Sequence, residues 1–309
     1  MPCTPDRTLP PTVLHLNPLH EPTHNHLYRP LIYAAFDNAT RFPLVALQHL
    51  SKITGGPPTY FEKVMQELSI TWLNAEDDFP PVSLAWGHDS PMPGLLAAGG
   101  VLDAAHLQAA YRRGIFPWFS PGQANLWWSP DPRMVLKTAD FRLHPSLRKT
   151  VRKFIRMPGY EVRIDTSFRQ VMEHCARTPR AGQDGTWIVP GIIDAYCELH
   201  AQGMAHSVET WVNDQLVGGL YCVALGQAVY GESMFAHASD ASKVALAALV
   251  ALCRHHGASQ IDCQQATAHL ASLGAREQSR EDFLAEATVQ QQQPAMDWNF
   301  HPVYWDSLC

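Results

Sequence analysis

The chain has 309 residues, of which 46% are hydrophobic, and this is enough for one large domain or two ordinary domains with true cores. Its formal net charge is -6 and its pI is near 6.2, so the field of the whole molecule does not attract nucleic acid, and any such contact requires a local basic patch. No run of residues approaches the roughly 20 apolar positions that a membrane span needs, so membrane residence is not expected.

The cysteines favour a reducing compartment. There are seven of them, an odd number, and they form no CxxC pair and no regular spacing. The N-terminus has no charged start followed by an apolar stretch, so no export signal is visible. Together these features predict a cytoplasmic protein rather than a secreted one.

The N-terminal part of the chain predicts two helices after an irregular arm. Residues 1–30 are rich in proline, which fixes φ and removes backbone donors, so we expect this arm to lack regular structure. A short helix is expected from Thr59, which begins a capping box. A second helix is expected from an N-cap at Asp103 to Arg113, with Gly114 as its left-handed stop.

Two proline-braced aromatic segments, GIFPWFSPG and LWWSPDP, follow the second helix. Exposed aromatic side chains on rigid loops suit base stacking, which contributes about 1 to 3 kcal/mol per base. The alternative is that Trp118, Trp127 and Trp128 are core residues. For the adjacent tryptophan pair, the core is the preferred interpretation.

The stretch RKTVRKFIR, residues 148–156, is dense in cations and contains no acid. On a helix, the cations collect on one side at i, i+4 spacing: Arg148, Lys149, Arg152 and Lys153. The apolar residues are expected to turn inward: Leu147, Val151, Phe154 and Ile155. This pattern predicts a phosphate-binding surface, and a solvated helix face fits it about equally well.

The C-terminal half predicts a meander, a helix and a strand. Three strands are expected over SVETWV, LVGGLYCVA and QAVYGESMF, joined by turns at Asn213-Asp214 and Leu225-Gly226. An apolar helix from about 240 to 256 follows, and then the short strand SQIDCQ. This arrangement places the chain in the α+β class.

The last strand carries a polar pair directly after the most apolar helix. Residues two apart on a strand point to the same side, so Asp262 and Gln264 are expected to face together while Cys263 faces the other layer. An edge strand that is wetted on one face is the alternative. If the strand YGESM is adjacent, Glu232 is expected to lie near this pair.

Nine segments of the chain resemble the leucyl/phenylalanyl-tRNA-protein transferase family. They are PGLLAAGG, AAYRRGIFPWFS, LWWSPDPR, DGTWI, VGGLYCVALG, GESMF, ASKVAL, IDCQ and ASLGA, and they occur in the order of that family over roughly residues 79–283. The resemblance implies an aminoacyltransferase that moves leucine or phenylalanine, and methionine less well, from aminoacyl-tRNA to the α-amine of proteins that begin with arginine or lysine. The product is a degradation signal of the N-end rule pathway.

The resemblance also implies a domain organisation. A small N-terminal domain, expected over residues 77–137, lies beside a C-terminal domain similar to the GNAT acyltransferase fold, expected over residues 138–309. Residues 1–76 form an extension that has no counterpart in compact family members. The resemblance implies neither a metal nor coenzyme A as a cofactor.

The resemblance and the chemistry assign roles to individual residues. An amine that attacks an activated ester must be oriented and must lose a proton, and the tetrahedral oxyanion must be stabilised. Gln264 is expected to contact the amine or the carbonyl oxygen, and Asp262 is expected to orient it and, with Glu232, to complement the positive side chain of the acceptor. Proton relay through Asp262 and Gln264 and assistance by the tRNA ribose hydroxyl both remain open.

The resemblance implies two further groups of substrate contacts. The aromatic residues expected at the terminal adenosine, the acceptor or the walls of the site are Tyr111, Trp118, Trp187 and Tyr196. The residues expected to line the amino-acid pocket are Leu220, Met234, Leu246 and Ile261, and for each of these a place in the core is an equal alternative. An apolar pocket accepts several side chains because one missing methylene costs only about 1 to 3 kcal/mol.

Three positions depart from the family pattern. Val229 and Cys253 stand where larger rings are frequent, which widens the expected pocket and leaves the preference between leucine and phenylalanine open. Thr267 stands where an asparagine is expected after the IDCQ segment.

Two other functions fit parts of the sequence. A coenzyme A-dependent N-acetyltransferase would share the fold, but the segment AHASDASK has no glycine and places Asp240 where the pyrophosphate should bind. A non-catalytic RNA-binding module would explain the basic helix but leaves Glu232, Asp262 and Gln264 without a role.

Overall fold

The computed structural model describes residues 70–90, 92–178 and 186–308. The expected arm over residues 1–30 and the expected helix from Thr59 therefore lie outside the described residues. The described helices are α1 (Ala104–Arg112), α2 (Pro145–Arg156), α3 (Phe168–Arg177), α4 (Pro190–Ala201), α5 (Ala241–His256), α6 (Ala268–Ser272) and α7 (Arg280–Gln291). The described strands are β1 (Thr71–Leu73), β2 (Leu95–Gly99), β3 (Phe116–Pro117), β4 (Leu126–Trp128), β5 (Arg133–Lys137), β6 (Tyr160–Ile164), β7 (Ala205–Val212), β8 (Gln215–Leu225), β9 (Ala228–Ala236), β10 (Gln260–Gln264) and β11 (Arg276–Gln278).

A small four-stranded sheet has the order β1-β2-β4-β3, and α1 follows its second strand. The helix predicted from Asp103 is confirmed: the Asp103 side chain accepts a hydrogen bond from the backbone N–H of His106, and Gly114 has a φ of 69° beyond the other end. Leu107, Ala110 and Tyr111 are fully buried on its inner face.

The two adjacent tryptophans belong to the core of this small sheet. Trp127 is fully buried and its Nε1 donates to the carbonyl of Gly99 at 2.9 Å, while Nε1 of Trp128 donates to the carbonyl of Trp118 at 2.6 Å. The core interpretation of this pair is therefore confirmed, because their indole N–H groups find partners inside the protein. Trp118 is half-buried and meets Trp128 edge-on.

The larger sheet has seven strands in the order β11-β5-β10-β9-β8-β7-β6. The predicted meander is confirmed as β7, β8 and β9, and Asn213 and Asp214 form its first turn with φ of 48° and 57°. The predicted apolar helix is α5, which ends at Gly257 with a φ of 84°. It connects β9 to β10, and these two strands are parallel. A mixture of antiparallel hairpins with one such crossover agrees with the α+β class.

Two hydrophobic cores lie on opposite faces of the large sheet, as the alternation along β8 demonstrates. Tyr221 and Val223 belong to the first core, which also contains residues of the small sheet, α1, α3 and α4. Leu220 and Cys222 belong to the second core, which contains the buried residues of α2 and α5. Successive side chains of a strand point to opposite faces, so one strand supplies both cores.

The basic stretch forms α2, and its apolar stripe is narrower than predicted. Leu147, Val151 and Phe154 are buried, whereas Ile155 is 39% exposed. The inward orientation predicted for Ile155 is wrong because, at 100° per residue, this position lies at the rim of the stripe that faces the sheet. Three predicted phosphate ligands, Lys149, Arg152 and Lys153, are exposed, and Arg148 is half-buried.

Each of the two expected domain boundaries, at residues 77 and 138, would assign a strand and the sheet with which it pairs to different domains. β1 precedes residue 77, yet its Thr71 pairs with Ala97 of β2 in the small sheet. β5 precedes residue 138, yet its Val135 pairs with Asp262 in the large sheet. The pairing of strands therefore divides the described chain between β4 and β5.

Candidate functional site

The candidate site lies where β9 and β10 leave regular pairing. Cys222 pairs with Gly231 and Tyr221 pairs with Ser233, so Glu232 is an extra residue on β9. Such bulges turn a side chain in a new direction. A second irregularity separates Asp262 and Gln264 on β10, where Gln264 has a φ of 62°.

Glu232 connects three other residues that were predicted for the site. Its Oε1 accepts from Nε2 of Gln264 at 2.8 Å, and its Oε2 accepts from the hydroxyl of Tyr196 at 3.2 Å. The hydroxyl of Tyr111 lies 2.5 Å from that of Tyr196. Because Tyr196 donates to Glu232, Tyr111 is the donor to Tyr196. The site therefore joins α1, α4, β9 and β10.

Burial controls the ionisation of this cluster. It raises the pKa of Glu232 to about 8, and the neighbouring charge of Asp262 adds to this rise, while hydrogen bonds from Tyr111 and Tyr196 and the charge of Arg133 oppose it. Burial also raises the pKa of both tyrosines well above its usual range, with the charge of Glu232 adding to it. The phenols thus keep their protons and donate, and Glu232 changes charge near neutral pH.

Asp262 is fully buried and bound by Arg133, a residue that the sequence analysis did not select. Nε of Arg133 donates to Oδ1 at 2.9 Å and Nη2 donates to Oδ2 at 2.5 Å. Asp262 was expected to complement the positive side chain of the acceptor; in the structure both of its carboxylate oxygens bind the internal cation of Arg133. An arginine directly before the three apolar residues of the strand RMVLK is the signal that could have identified Arg133, since a buried arginine needs a partner.

Gln264 presents a free carbonyl oxygen. Its backbone N–H donates to Oδ1 of Asp262 at 2.8 Å and its Nε2 donates to Glu232, so within the described residues Oε1 has no hydrogen-bond partner. The Asp262 and Gln264 side chains reach the first core face, and Cys263 packs against the second, as predicted. The cause differs from the one predicted: an irregular step, not simple alternation, directs Gln264.

The remaining predicted substrate contacts lie on both faces of the large sheet, the aromatic ones in the first core and the apolar ones in the second. Trp187 is half-buried against the first core. The apolar residues expected in the amino-acid pocket belong to the second core, where Met234 is half-buried and the others are almost completely enclosed. These are Leu220, Leu246 and Ile261, together with the departing positions Val229 and Cys253.

The C-terminal end of α2 lies near the end of the large sheet at which β9 and β10 finish, and α2 packs on the second core, on the face opposite to the polar cluster. α2 leads into β6, whose first residue Tyr160 pairs with Val212, the last residue of β7. That end of β7 is also the end at which β9 finishes. β6 is four strands from β10, a separation of roughly 19 Å at about 4.8 Å per strand.

One side-chain group within residues 70–90, 92–178 and 186–308 has the composition of a metal site: Asp165, His200 and His206. Three of its four ring nitrogens have protein partners: Nδ1 of His206 binds Asp165 at 2.7 Å, Nε2 of His206 binds the carbonyl of Gly203 at 3.2 Å, and Nδ1 of His200 binds the carbonyl of Ala205 at 2.7 Å. The group therefore forms an internal hydrogen-bond network. It shares no residue with the cluster around Glu232.

The N-terminus of α5 is occupied by a carboxylate. Asp240 has a φ of 63°, and its Oδ1 binds Nζ of Lys243 at 2.8 Å. The Asp240 side chain forms no capping hydrogen bond, so an ion pair of Asp240 with Lys243 lies at this helix end, where helix N-termini otherwise attract anions.

Comparisons with known proteins assign the chain to a family. A family model described as leucyl/phenylalanyl-tRNA protein transferase matches residues 135–288, and a model of the N-terminal domain of that transferase matches residues 100–131. The leucyl/phenylalanyl-tRNA–protein transferase of Albidiferax ferrireducens is 60% identical over 77% of this chain and 94% of that protein. The chain belongs to the leucyl/phenylalanyl-tRNA–protein transferase family. The resemblance seen in the sequence is thereby confirmed.

Two further family members are similar to the same extent. The transferase of a Polaromonas species is 57% identical over 77% of this chain and 94% of that protein, and that of Leptothrix cholodnii is 58% identical over 77% and 95%. A solved structure of a functionally unknown conserved protein from Staphylococcus epidermidis matches with a TM-score of 0.30 at 10% identity, covering 60% of this chain and 68% of that chain.

The two family models cover most of the candidate site. Tyr111 lies in the matched N-terminal segment, and Glu232, Asp262 and Gln264 lie in the longer match, whereas Arg133 falls between the two. In the part of the chain that the structure describes, every helix is too short or too polar to cross a membrane.

Proposed function

We propose that the chain transfers leucine or phenylalanine, and methionine less well, from aminoacyl-tRNA to the α-amine of proteins that begin with arginine or lysine. It acts in the cytoplasm and gives its product an N-end rule degradation signal. Family membership supports the reaction. The structural observation that carries it is the amide of Gln264, fixed to Glu232 with its carbonyl oxygen free.

The free carbonyl oxygen suits the attacking amine. Oε1 of Gln264 can accept an N–H from the α-amine, and the second N–H of Nε2 can donate to the carbonyl oxygen of the ester as negative charge develops there. The amine nitrogen forms the new amide bond, the ester C–O bond breaks, and the ribose hydroxyl leaves with a proton. An aminoacyl ester drives this transfer without ATP.

The position of Asp262 favours proton transfer through the tRNA ribose hydroxyl. Both oxygens of Asp262 accept hydrogen bonds from Arg133, and one of them also accepts the backbone N–H of Gln264. These three donors occupy most of the acceptor positions of the carboxylate. The relay through Asp262 and Gln264 is therefore the less supported of the two routes.

Glu232 is the carboxylate that suits the acceptor's side chain. It is half-buried, and a guanidinium or ammonium group beside it would favour its charged form. Tyr111 and Tyr196 support the charged form by hydrogen bonding. The preference for N-terminal arginine or lysine follows from this single carboxylate.

The donor's side chain would occupy an apolar pocket beside the partly exposed Met234. Leu220 pairs with Met234 across β8 and β9, and Val229 and Ile261 pair across β9 and β10 on the same face. Such a pocket discriminates weakly among leucine, phenylalanine and methionine, because each methylene contributes only about 1 to 3 kcal/mol.

The exposed cations of α2 would bind tRNA phosphates. Arg152 and Lys153 form no ion pair with another described residue, and α2 finishes near the end of the sheet at which β10 also finishes. A net charge of -6 makes such a local patch necessary for binding to RNA. Trp118 and Trp187, both half-buried, would contact the terminal adenosine or the acceptor.

The small sheet with α1 would form the N-terminal domain, and the chain from β5 onward would form a GNAT-like catalytic domain. The meander β7-β8-β9, the crossing helix α5 and the parallel strand β10 support this reading. Acetyl-coenzyme A is not expected to bind, because Asp240 stands at the N-terminus of α5.

The deciding experiment measures transfer of labelled leucine from charged tRNA to a peptide that begins with arginine. Transfer is expected, and a peptide that begins with glutamate serves as the control. Binding of tRNA without transfer would favour a non-catalytic RNA-binding module. Saturable binding of acetyl-coenzyme A at micromolar concentration would favour an acetyltransferase.

A further inference from the structure

Arg133 is a buried cation whose position is not explained by a contribution to the stability of the fold. Its side chain is fully buried, and its guanidinium lies between the rings of Phe116 and Phe283, at 4.9 and 4.7 Å from their centroids. Burying a cation and a carboxylate together is often no more favourable than apolar side chains of the same volume. The pair of Arg133 with Asp262 therefore calls for an explanation in terms of geometry.

The pair controls the backbone of Gln264. Oδ1 of Asp262 accepts from Nε of Arg133 and also from the backbone N–H of Gln264, at 2.9 and 2.8 Å. Gln264 has a φ of 62°, a left-handed conformation that costs a residue with a side chain about 1 to 2 kcal/mol. The hydrogen bond to Asp262 holds this conformation, and it directs the amide of Gln264 toward Glu232.

Arg133 also touches the other half of the site. Its Nη1 donates to the carbonyl of Gly114 at 3.0 Å, directly beyond the helix that carries Tyr111. Arg133 thus binds both Asp262, on the strand of Gln264, and the end of α1. A planar guanidinium with several fixed donors can make these contacts at once, whereas an ammonium group cannot.

We propose that Arg133 is a positioning residue for aminoacyl transfer, acting through Asp262 to hold the amide of Gln264 in its reactive orientation. This inference rests on the proposed function. In this proposal, Asp262 helps to hold Gln264 in position. Small displacements of a reacting group are costly, with a shift of about 1 Å lowering a rate by about 10²-fold.

The test compares Arg133→Gln, Asp262→Asn and the double variant in the leucine transfer assay. Arg133→Gln is expected to lower kcat by about 10- to 100-fold while KM for charged tRNA changes by no more than about twofold, because the lost interaction acts on the reaction step. The double variant is expected to be no slower than the slower single variant, since both changes act on one unit. Arg133→Lys keeps the charge and is expected to recover part of the rate.

Arg254→Gln is the matched control. Arg254 donates to the backbone carbonyls of Thr138 and Ser307 and contacts no residue of the site, so its loss is expected to lower the melting temperature without lowering kcat. If Arg133→Gln does not fold, Arg133→Lys decides: a folded lysine variant with reduced kcat and unchanged KM supports the proposal.

Three results would overturn it. They are a wild-type kcat in a folded Arg133 variant, losses that multiply in the double variant, and a loss that lies wholly in KM for tRNA. An inactive wild-type protein would contradict the proposed function itself. An active wild-type protein with fully active Arg133 variants would contradict this inference alone.

Discussion

The side-chain amide of Gln264 donates to the carboxylate of Glu232 across 2.8 Å. This hydrogen bond joins the last residue of β10 to the bulged residue of the parallel strand β9. This contact fixes the orientation of the amide. The carbonyl oxygen faces away from Glu232 and can receive the amine, so the amide and the carboxylate divide the acceptor between them: one binds its α-amine and the other its side chain.

Replacement of Gln264 by alanine should reduce turnover strongly. Removal of one group that stabilises an oxyanion costs about 10²- to 10³-fold in rate, and we expect kcat for leucine transfer to fall within that range. Gln265→Ala is the control, since Gln265 is the exposed neighbour and no side-chain contact joins it to the site. Normal turnover in a folded Gln264→Ala protein would remove Gln264 from the mechanism.

Glu232→Gln should change the choice of acceptor more than the use of tRNA. The neutral amide keeps the shape of the side chain but loses the charge that pairs with arginine or lysine, and a hydrogen bond to a charged group contributes about 1.5 to 3 kcal/mol. We expect kcat/KM for an arginine peptide to fall by about 10- to 100-fold, while the value for the matching citrulline peptide changes little. Equal losses with both peptides would contradict an ionic role for Glu232.

The same variant should alter the dependence of stability on pH. The pKa of Glu232 is raised from 4.5 to about 8 in the folded protein, mainly by burial. Between these values the folded state keeps a proton that the unfolded state has lost, so the contribution of Glu232 to stability falls as pH rises through this window. The melting temperature of Glu232→Gln relative to that of the wild-type protein should therefore increase as the pH rises from 5 to 8.

Glu286 is a useful comparison because its pKa is shifted in the opposite direction to that of Glu232. Burial raises its pKa, but hydrogen bonds from Lys137 and Ser259 outweigh this effect and hold the pKa below its usual value. Its stabilising contribution is present above the unfolded pKa and is lost as the pH falls through the folded pKa. A Glu232→Gln difference that is constant from pH 5 to pH 8 would show that the carboxyl does not keep its proton in the folded protein.

The periodic parts of the fold were accessible from the sequence, and the contacts between distant segments were not. The meander, α5 and the strand with Asp262 follow from local patterns of apolar residues, and the resemblance to the family pointed to Tyr111 and Tyr196. The pair of Arg133 with Asp262 joins residues 129 positions apart, and no local pattern predicts it. Alternation also fails at Gln264, because a left-handed residue interrupts the strand.

The cations of α2 should contribute to tRNA binding and leave the chemistry unchanged. Replacement of Arg152 and Lys153 together by alanine removes two exposed charges from α2, which finishes near the end of the sheet at which β10 also finishes. Each phosphate contact contributes about 0.9 to the slope of log K against log salt on a duplex, so we expect weaker binding of charged tRNA and a slope that is lower by about 1 to 2. Transfer from a minimal aminoacyl-adenosine donor, which carries no distant phosphates, should keep its rate.

A control for net charge comes from α3. Arg169 and Arg177 are exposed and lie on another helix, so their joint replacement by alanine changes the total charge by the same amount. Electrostatic attraction by the whole molecule would make the two double variants equal, whereas a local contact affects only the α2 variant. An equal loss with the minimal donor and the full tRNA would contradict phosphate binding by α2, because that donor extends no further than the terminal adenosine.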